Sequence, residues 1–205
     1  MLRDAFFYPL AAVVTGGIVL LALFIGGAPP ITDEEILNEG WRMSGSDLRS
    51  LTVSPGSGAI YSSDEGGYIR LSQQVPLGVG PSSIGVFATL GPAHERVFAG
   101  KRLRISFRAR SARSNPLDRF QTAYVPVEGP PSDWENHELT FDWRNYRFEY
   151  TPPVTDEEPN VDLVAIFPGR WGRNQQMDVA AIRIDVLGRP GLVSAEDEAE
   201  VASDP

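Results

Sequence analysis

The sequence predicts an all-β fold, an antiparallel β-sandwich, preceded by one N-terminal transmembrane α-helix. Three observations carry this expectation. Several short runs alternate apolar and polar residues with period two, the pattern of half-buried strands. Clusters of Gly, Pro, Asn and Ser separate those runs, and no stretch past residue 40 has a convincing helical period. Residues 5–27, AFFYPLAAVVTGGIVLLALFIGG, contain no charged residue and are as long as a bilayer-crossing helix, about 20 residues.

That first segment exceeds the roughly 7–15 apolar residues of a cleavable signal, and Pro29 and Pro30 follow its small residues, so an uncleaved anchor is expected. Arg3 precedes the run, whereas Asp33, Glu34, Glu35 and Glu39 follow it. Positive charge stays cytoplasmic. The expectation is a single-pass inner-membrane protein with its N-terminus in the cytoplasm and its domain on the periplasmic side. Ala12 and Gly16 form a small-xxx-small pair that allows close helix approach. Residues 29–40 read as a linker, in which Thr32 and Glu35 have capping-box spacing, so a short helix is expected near residues 33–38.

Composition narrows the chemistry. The chain has no cysteine, which excludes disulfides and thiolate sites, and two histidines, His94 and His137, too few for a histidine-rich metal centre. The net charge of −9 argues against nucleic acid as a partner. No nucleophile elbow, phosphate loop or H-E-x-x-H motif is present. No cofactor or bound metal is expected.

The strand signals then follow in order. GYIRLSQQV (residues 67–75) is the first. In KRLRISFRARS (residues 101–111), Leu103, Ile105, Phe107 and Ala109 alternate with Arg102, Arg104, Ser106, Arg108 and Arg110, so one face enters the core and the other is a row of arginines. HELTFD (137–142), NVDLVAIFP (160–168) and DVAAIRIDVL (178–187) follow. In FDWRNYRFEYTPP (141–153), Tyr146, Phe148 and Tyr150 share one face and Asn145, Arg147 and Glu149 the other, which marks a packing strand. Trp143 falls opposite the three aromatics, at the edge. Pro152 and Pro153 end the strand, since neither donates to a ladder. Residues 189–205 are acidic and lack aromatics, and read as a mobile tail. The expected organisation is residues 1–28 as tip and anchor, 29–40 as linker, 41–188 as sandwich and 189–205 as tail.

The succession GYIRLSQQVPLG, FAGKRLRISFRARS, HELTFDWRNYRFEYTPP, NVDLVAIFPGRWG and MDVAAIRIDVL resembles the family 4/9 carbohydrate-binding-module jelly roll of the galactose-binding-like superfamily. The G-K-x-x-x-x-S-F-x-A-R strand at residues 100–110 and the strand at 140–153 are its most specific elements. The resemblance implies a jelly-roll scaffold and glycan binding. Where it implies an acidic pair in the last strand that helps hold a structural calcium, this chain has Ala180 and Ala181, so no calcium is expected there.

Candidate sites remain to be weighed. SDWENHELT brings Asp133, Glu135, Glu138, Trp134 and His137 together, but glycosidase chemistry needs two carboxylates flanking a bond in a cleft, and the stretch reads as a solvated turn with Trp134 as a lid. The loop PGRWGRNQQ (168–176) offers Trp171 with Arg170, Arg173 and Asn174, a flat apolar face beside planar hydrogen-bonding groups suited to a sugar or a protein surface. The arginine row of Arg102, Arg104, Arg108 and Arg110 is a second interaction surface, or a charged face satisfied by Glu149, Glu138 or Asp142. The leading expectation is a non-catalytic, membrane-anchored domain that recognises a cell-envelope or exopolysaccharide glycan. The alternative is a structural accessory subunit of a larger membrane complex, docking on a membrane-protein partner through the Ala12/Gly16 face and the sandwich.

Overall fold

The computed structural model describes residues 31–74, 85–155, 160–168 and 174–188. The chain divides into two units, Met1–Thr32 and Asp33–Pro205, and the sandwich is the second. Among the described residues no helix is long and apolar enough to cross a membrane. The expected span at residues 5–27, with Ala12 and Gly16, lies outside them, as does the expected tail from residue 189.

The elements are α1 (Asp33–Glu39), β1 (Trp41–Ser44), β2 (Thr52–Val53), β3 (Ser57–Ser62), β4 (Tyr68–Gln73), β5 (Val86–Leu90), α2 (Pro92–Phe98), β6 (Leu103–Ser111), β7 (Arg119–Val125), β8 (Glu135–Glu138), β9 (Arg144–Tyr150), β10 (Asp162–Phe167) and β11 (Gln176–Val186). They build two antiparallel sheets. The larger has six strands in the order β3-β4-β11-β6-β9, with β1 also on β11, and the smaller has five in the order β2-β5-β10-β7-β8. β11 is long enough to pair with β4 through Gln176–Val179 and with β1 through Ala181–Ile184, while β6 runs along its other side. Its register with β6 shifts between Val179 and Ala181, a bulge at Ala180 that re-aims the strand between its two partners.

The larger sheet follows the alternation in its sequence. Leu103, Ile105, Phe107 and Ala109 of β6 are fully buried in the core cluster, and Met177, Val179, Ile182 and Ile184 of β11 join them. Each large apolar side chain so buried stabilises by roughly 1.5–3 kcal/mol before entropy is counted. On β9, Phe148 is buried and stacks on Phe107 with centroids 6.3 Å apart, Tyr146 meets Phe120 edge-on at 5.2 Å, and Tyr150 packs on Tyr124 at 5.3 Å. The aromatic stretch is therefore a packing strand.

The smaller sheet is different, because both of its faces are apolar at the centre. Phe120 and Tyr124 of β7, Val164 and Ile166 of β10, and Val86 and Ala88 of β5 enter the main core. Phe87, Ala123 and Ala165, between them in sequence, form a second cluster with Trp134, Val125 and Leu163. By the alternation of strands, that second cluster lies on the outer face.

Three expectations need correction. A helix does occur past residue 40: α2, PAHERVF, starts on Pro92 and buries Glu95, Val97 and Phe98. Its seven residues are too few to show a helical period. The strand expected at 137–142 is β8, ending at Glu138. The segment set apart as a linker contributes to the core, since Ile36 of α1 is fully buried. α1 stops at Gly40, whose N–H donates to the Ile36 carbonyl at 2.9 Å with φ at +67°, the left-handed residue that ends many helices. A Cβ there would lie 2.0 Å from the Ile184 carbonyl oxygen.

Candidate functional site

The outer face of the smaller sheet carries the most chemistry. Alternation along SDWENHE sends Trp134, Asn136 and Glu138 to that face and His137 to the interior. Trp134 meets Phe167 edge-on at 6.2 Å and packs on the Phe87, Ala123 and Ala165 cluster. One step along, the Gln121 side-chain amide donates to Asn136 Oδ1 at 2.9 Å. A further step brings Arg119 to Glu138 at 2.9 Å. The face thus runs from an indole on an apolar floor, through an amide pair, to a charge pair that neutralises itself. Gln121 is 2% exposed, yet among the described residues its carbonyl Oε1 has no hydrogen-bond partner. A buried acceptor left unpaired costs about 1–3 kcal/mol, so this one is a marked exception.

Behind this face, His137 Nε2 lies 2.9 Å from Thr122 Oγ1, between the rings of Phe120 and Tyr146 at 4.8 and 5.6 Å. Burial pushes its pKa down to about 4, so the ring is neutral at physiological pH and serves packing rather than proton transfer. The carboxylates of this stretch form no dyad: Glu138 is paired with Arg119, and β8 alternation turns Glu135 the other way.

The arginine row divides. Glu149 pairs with both Arg102 and Arg104, at 2.5 and 3.5 Å. Arg108 is exposed, with its guanidinium 5.8 Å from the Trp143 ring. Arg110 departs from the expectation of an exposed row: it is 8% exposed and packs 4.2 Å from the Trp143 ring. It donates to Asp178 at 3.2 Å and to Glu65 at 2.9 and 3.3 Å. Arg70 holds the same Asp178 at 2.7 and 3.1 Å. Trp143 Nε1–H donates to Glu65 at 2.8 Å, and that bond, then Arg110, lowers the Glu65 pKa. Two arginines and two carboxylates balance here, so this is a closed clamp across β4, β11 and β6 rather than an open site. Trp143 caps it instead of covering an edge of the sandwich.

A cavity of about 200 Å³ lies where α2 meets the start of β10, lined by Glu95, Glu128 and Asp162 among prolines and Val154. Asp162 accepts the Tyr124 hydroxyl at 2.6 Å and the Val127 N–H at 3.1 Å. Glu95 accepts the Asn160 N–H, and burial raises its pKa. Among the described residues no group of three or more His, Asp or Glu side chains is placed to hold a metal ion. Of the residues singled out in the loop after β10, Arg170, Trp171 and Arg173 lie outside the described residues. Asn174 is described: it is exposed, with φ at +62°, and its N–H donates to the Gln73 carbonyl at 3.1 Å.

No family model matches the chain, and no curated protein matches it in sequence. Likeness appears in the fold. The chain superposes on the CBM22-1 xylan-binding domain of Paenibacillus barcinonensis Xyn10C with a TM-score of 0.54 at 8% identity, over 73% of this chain and 94% of that one. It superposes on the C-terminal family 22 carbohydrate binding module of Clostridium thermocellum Xyn10B with a TM-score of 0.50 at 13% identity, over 73% and 94%. The CBM22-2 xylan-binding domain of the Paenibacillus enzyme gives 0.50 at 10% identity, over 71% and 98%. These neighbours are carbohydrate-binding modules, and the chain shares their two-sheet β-sandwich.

Proposed function

We propose that the protein is a non-catalytic glycan-binding domain and that its ligand lies on the outer face of the smaller sheet. The observation that carries this reading is the unpaired, buried Gln121 carbonyl beside Trp134. An indole accepts the C–H face of a sugar ring, and an amide pair at its edge exchanges hydrogen bonds with hydroxyls. Gln121 Oε1 is a buried acceptor without a donor, and a sugar hydroxyl supplies one when the side chain turns out to meet the ligand. Arg119 and Glu138 offset each other, so this reading favours an uncharged polysaccharide. Xylan, which two of the fold neighbours are named for binding, is the first to try. The loop of Arg170, Trp171, Arg173 and Asn174 stays within the proposal as a second contact, since Arg170 follows Phe167 by only three residues. Tethering through residues 5–27 on the outer side of a bacterial inner membrane belongs to the same reading.

The test is affinity electrophoresis and a glycan array on the full chain beside Trp134→Ala, Gln121→Ala and Trp171→Ala. Loss of about 1.4 kcal/mol is tenfold in affinity, and truncating a central Trp is expected to cost at least that. Binding that survives both Trp134→Ala and Gln121→Ala would remove the face from the proposal, and loss with Trp171→Ala alone would move the site to the loop. No glycan bound by the parent protein would end the glycan reading.

A further inference from the structure

The opposite side of the molecule, the outer face of the larger sheet, has an arrangement that strand pairing alone disfavours. Arg42 of β1 lies directly opposite Arg183 of β11, and the row continues across Ser106 of β6 to Arg147 of β9. Like charges directly opposite on a sheet destabilise it. The next row is Ser44, Ala181, Arg108 and Asn145, and the row on the other side is Asp185, Arg104 and Glu149. Ser44, Ser106 and Ala181 are small, so they form a low floor with guanidinium groups around it. Five outward arginines, at 42, 104, 108, 147 and 183, face two carboxylates in these rows. Glu149 is engaged by Arg102 and Arg104, and Asp185 by Arg183 at 2.7 Å. Among the described residues, neither Arg42 nor Arg108 has an ion pair. A chain with a net charge of −9 therefore concentrates positive charge on one basin.

We propose that this basin is the docking site of the chain's own acidic C-terminal segment. Glu196, Asp197, Glu198, Glu200 and Asp204 stand there with Arg189 as the only basic residue. The complement is in charge and in place. β11 ends at Val186 against Leu103, and the Leu187 N–H donates to the Arg102 carbonyl at 2.8 Å. The chain leaves the sheet beside Arg102 and Arg104, at the end of the arginine rows. Gly188 follows with φ at +90°, a conformation that lets the chain reverse. At about 3.3–3.6 Å per residue the eight residues from Gly188 to Glu196 span up to ~29 Å, and the five back to Arg183 along β11 about 17 Å, so the acidic cluster reaches the basin. Exposed ion pairs are individually weak, but a tethered segment acts at an effective concentration in the mM range, which lets several weak pairs add.

The absence of native cysteine makes a distance measurement direct. Spin labels at Asn145→Cys, an exposed neighbour of the basin, and Ala199→Cys in the full chain are expected to show a short separation at low salt. That separation should lengthen in about 1 M salt, where the screening length is ~3 Å. It should also lengthen in a variant with Glu196, Asp197, Glu198 and Glu200 changed to Gln or Asn, which alters no residue of the sandwich, and in Arg42→Glu/Arg108→Glu. An unchanged distance distribution in the tail-neutralised variant would overturn the proposal. So would a short separation that vanishes when labelled protein is diluted with unlabelled protein, because the contact would then be between copies. These readouts do not depend on whether the smaller sheet binds a glycan.

Discussion

His137 and Glu95 are both ionisable side chains taken out of water, and they bend the pH dependence of the fold in opposite directions. The folded His137 titrates at about 4 against about 6.5 for a free imidazole. Its contribution is complete above pH 6.5 and is lost as the pH falls from there toward 4, because unfolding lets the ring take up a proton. Glu95 is raised by burial, with Asp162 and Glu128 adding to the shift. Its stabilisation is present below its unfolded pKa, near 4.5, and is lost as the pH rises through the folded value. Glu95→Gln keeps an acceptor for the Asn160 N–H and removes the charge. It is expected to raise Tm at pH 7–8 and leave it nearly unchanged at pH 4, while His137→Gln flattens the loss between pH 6.5 and 4. A melting series across pH reads both, and a lower neutral-pH Tm for Glu95→Gln would show that the charge is needed. In the sequence, His137 is legible as one of two histidines and as a member of the SDWENHELT cluster, but not as a buried ring. What betrays its direction is the spacing by two of Trp134, Asn136 and Glu138, which forces the residue between them inward. The sequence makes Trp134 a lid on the sandwich. It is a lid on the outer cluster, and nothing local to SDWENHE shows that Gln121 will be beside it, because that proximity comes from strand pairing.

At the scale of elements, the legible strands are those with one wet face. β6 and β9 announce themselves because arginine or glutamate alternates with Leu, Ile, Phe or Tyr. FQTAYV of β7 does not, since Phe120 and Tyr124 point to one cluster and Ala123 to another, which erases the polar half of the pattern. β1 and β2, at four and two residues, are too short to alternate visibly. In sequence the outer face of β6 is four equivalent arginines, whereas in the sheet Asp178, far along the chain but paired opposite Arg110, withdraws Arg110 from that row. Two substitutions separate packing from backbone effects. Phe107→Ala, in the buried stack with Phe148, is expected to cost ~3–5 kcal/mol. Gly40→Ala combines a left-handed backbone with a Cβ 2.0 Å from a carbonyl oxygen, and the backbone term alone is of order 1–3 kcal/mol. Denaturant titration should show both as lowered midpoints with unchanged slope. A neutral Gly40→Ala would mean that α1 can end elsewhere without cost.

For the whole molecule, the expected anchor at residues 5–27 makes a simple claim on location. The full chain should partition with membranes and resist alkaline carbonate, and the mature N-terminus should precede Ala28. A mature protein beginning at or after Ala28 would show that the segment is removed. A further consequence follows from β11. It is the last of the described strands, yet it stands between β4 and β6 and also carries β1. Trp41, at the start of the sandwich, pairs with Ile184, near its end. Until β11 arrives, β1, β4 and β6 have no common partner and their apolar faces have nowhere to go. The domain therefore cannot fold progressively from its N-terminus as it is made. Assembly waits for residues 176–186 and then proceeds through contacts of large sequence separation, which is intrinsically slow. A chain synthesised or threaded across a membrane N-terminus first stays open until Val186 has emerged, and truncation before Gln176 should yield an aggregation-prone fragment rather than a smaller domain.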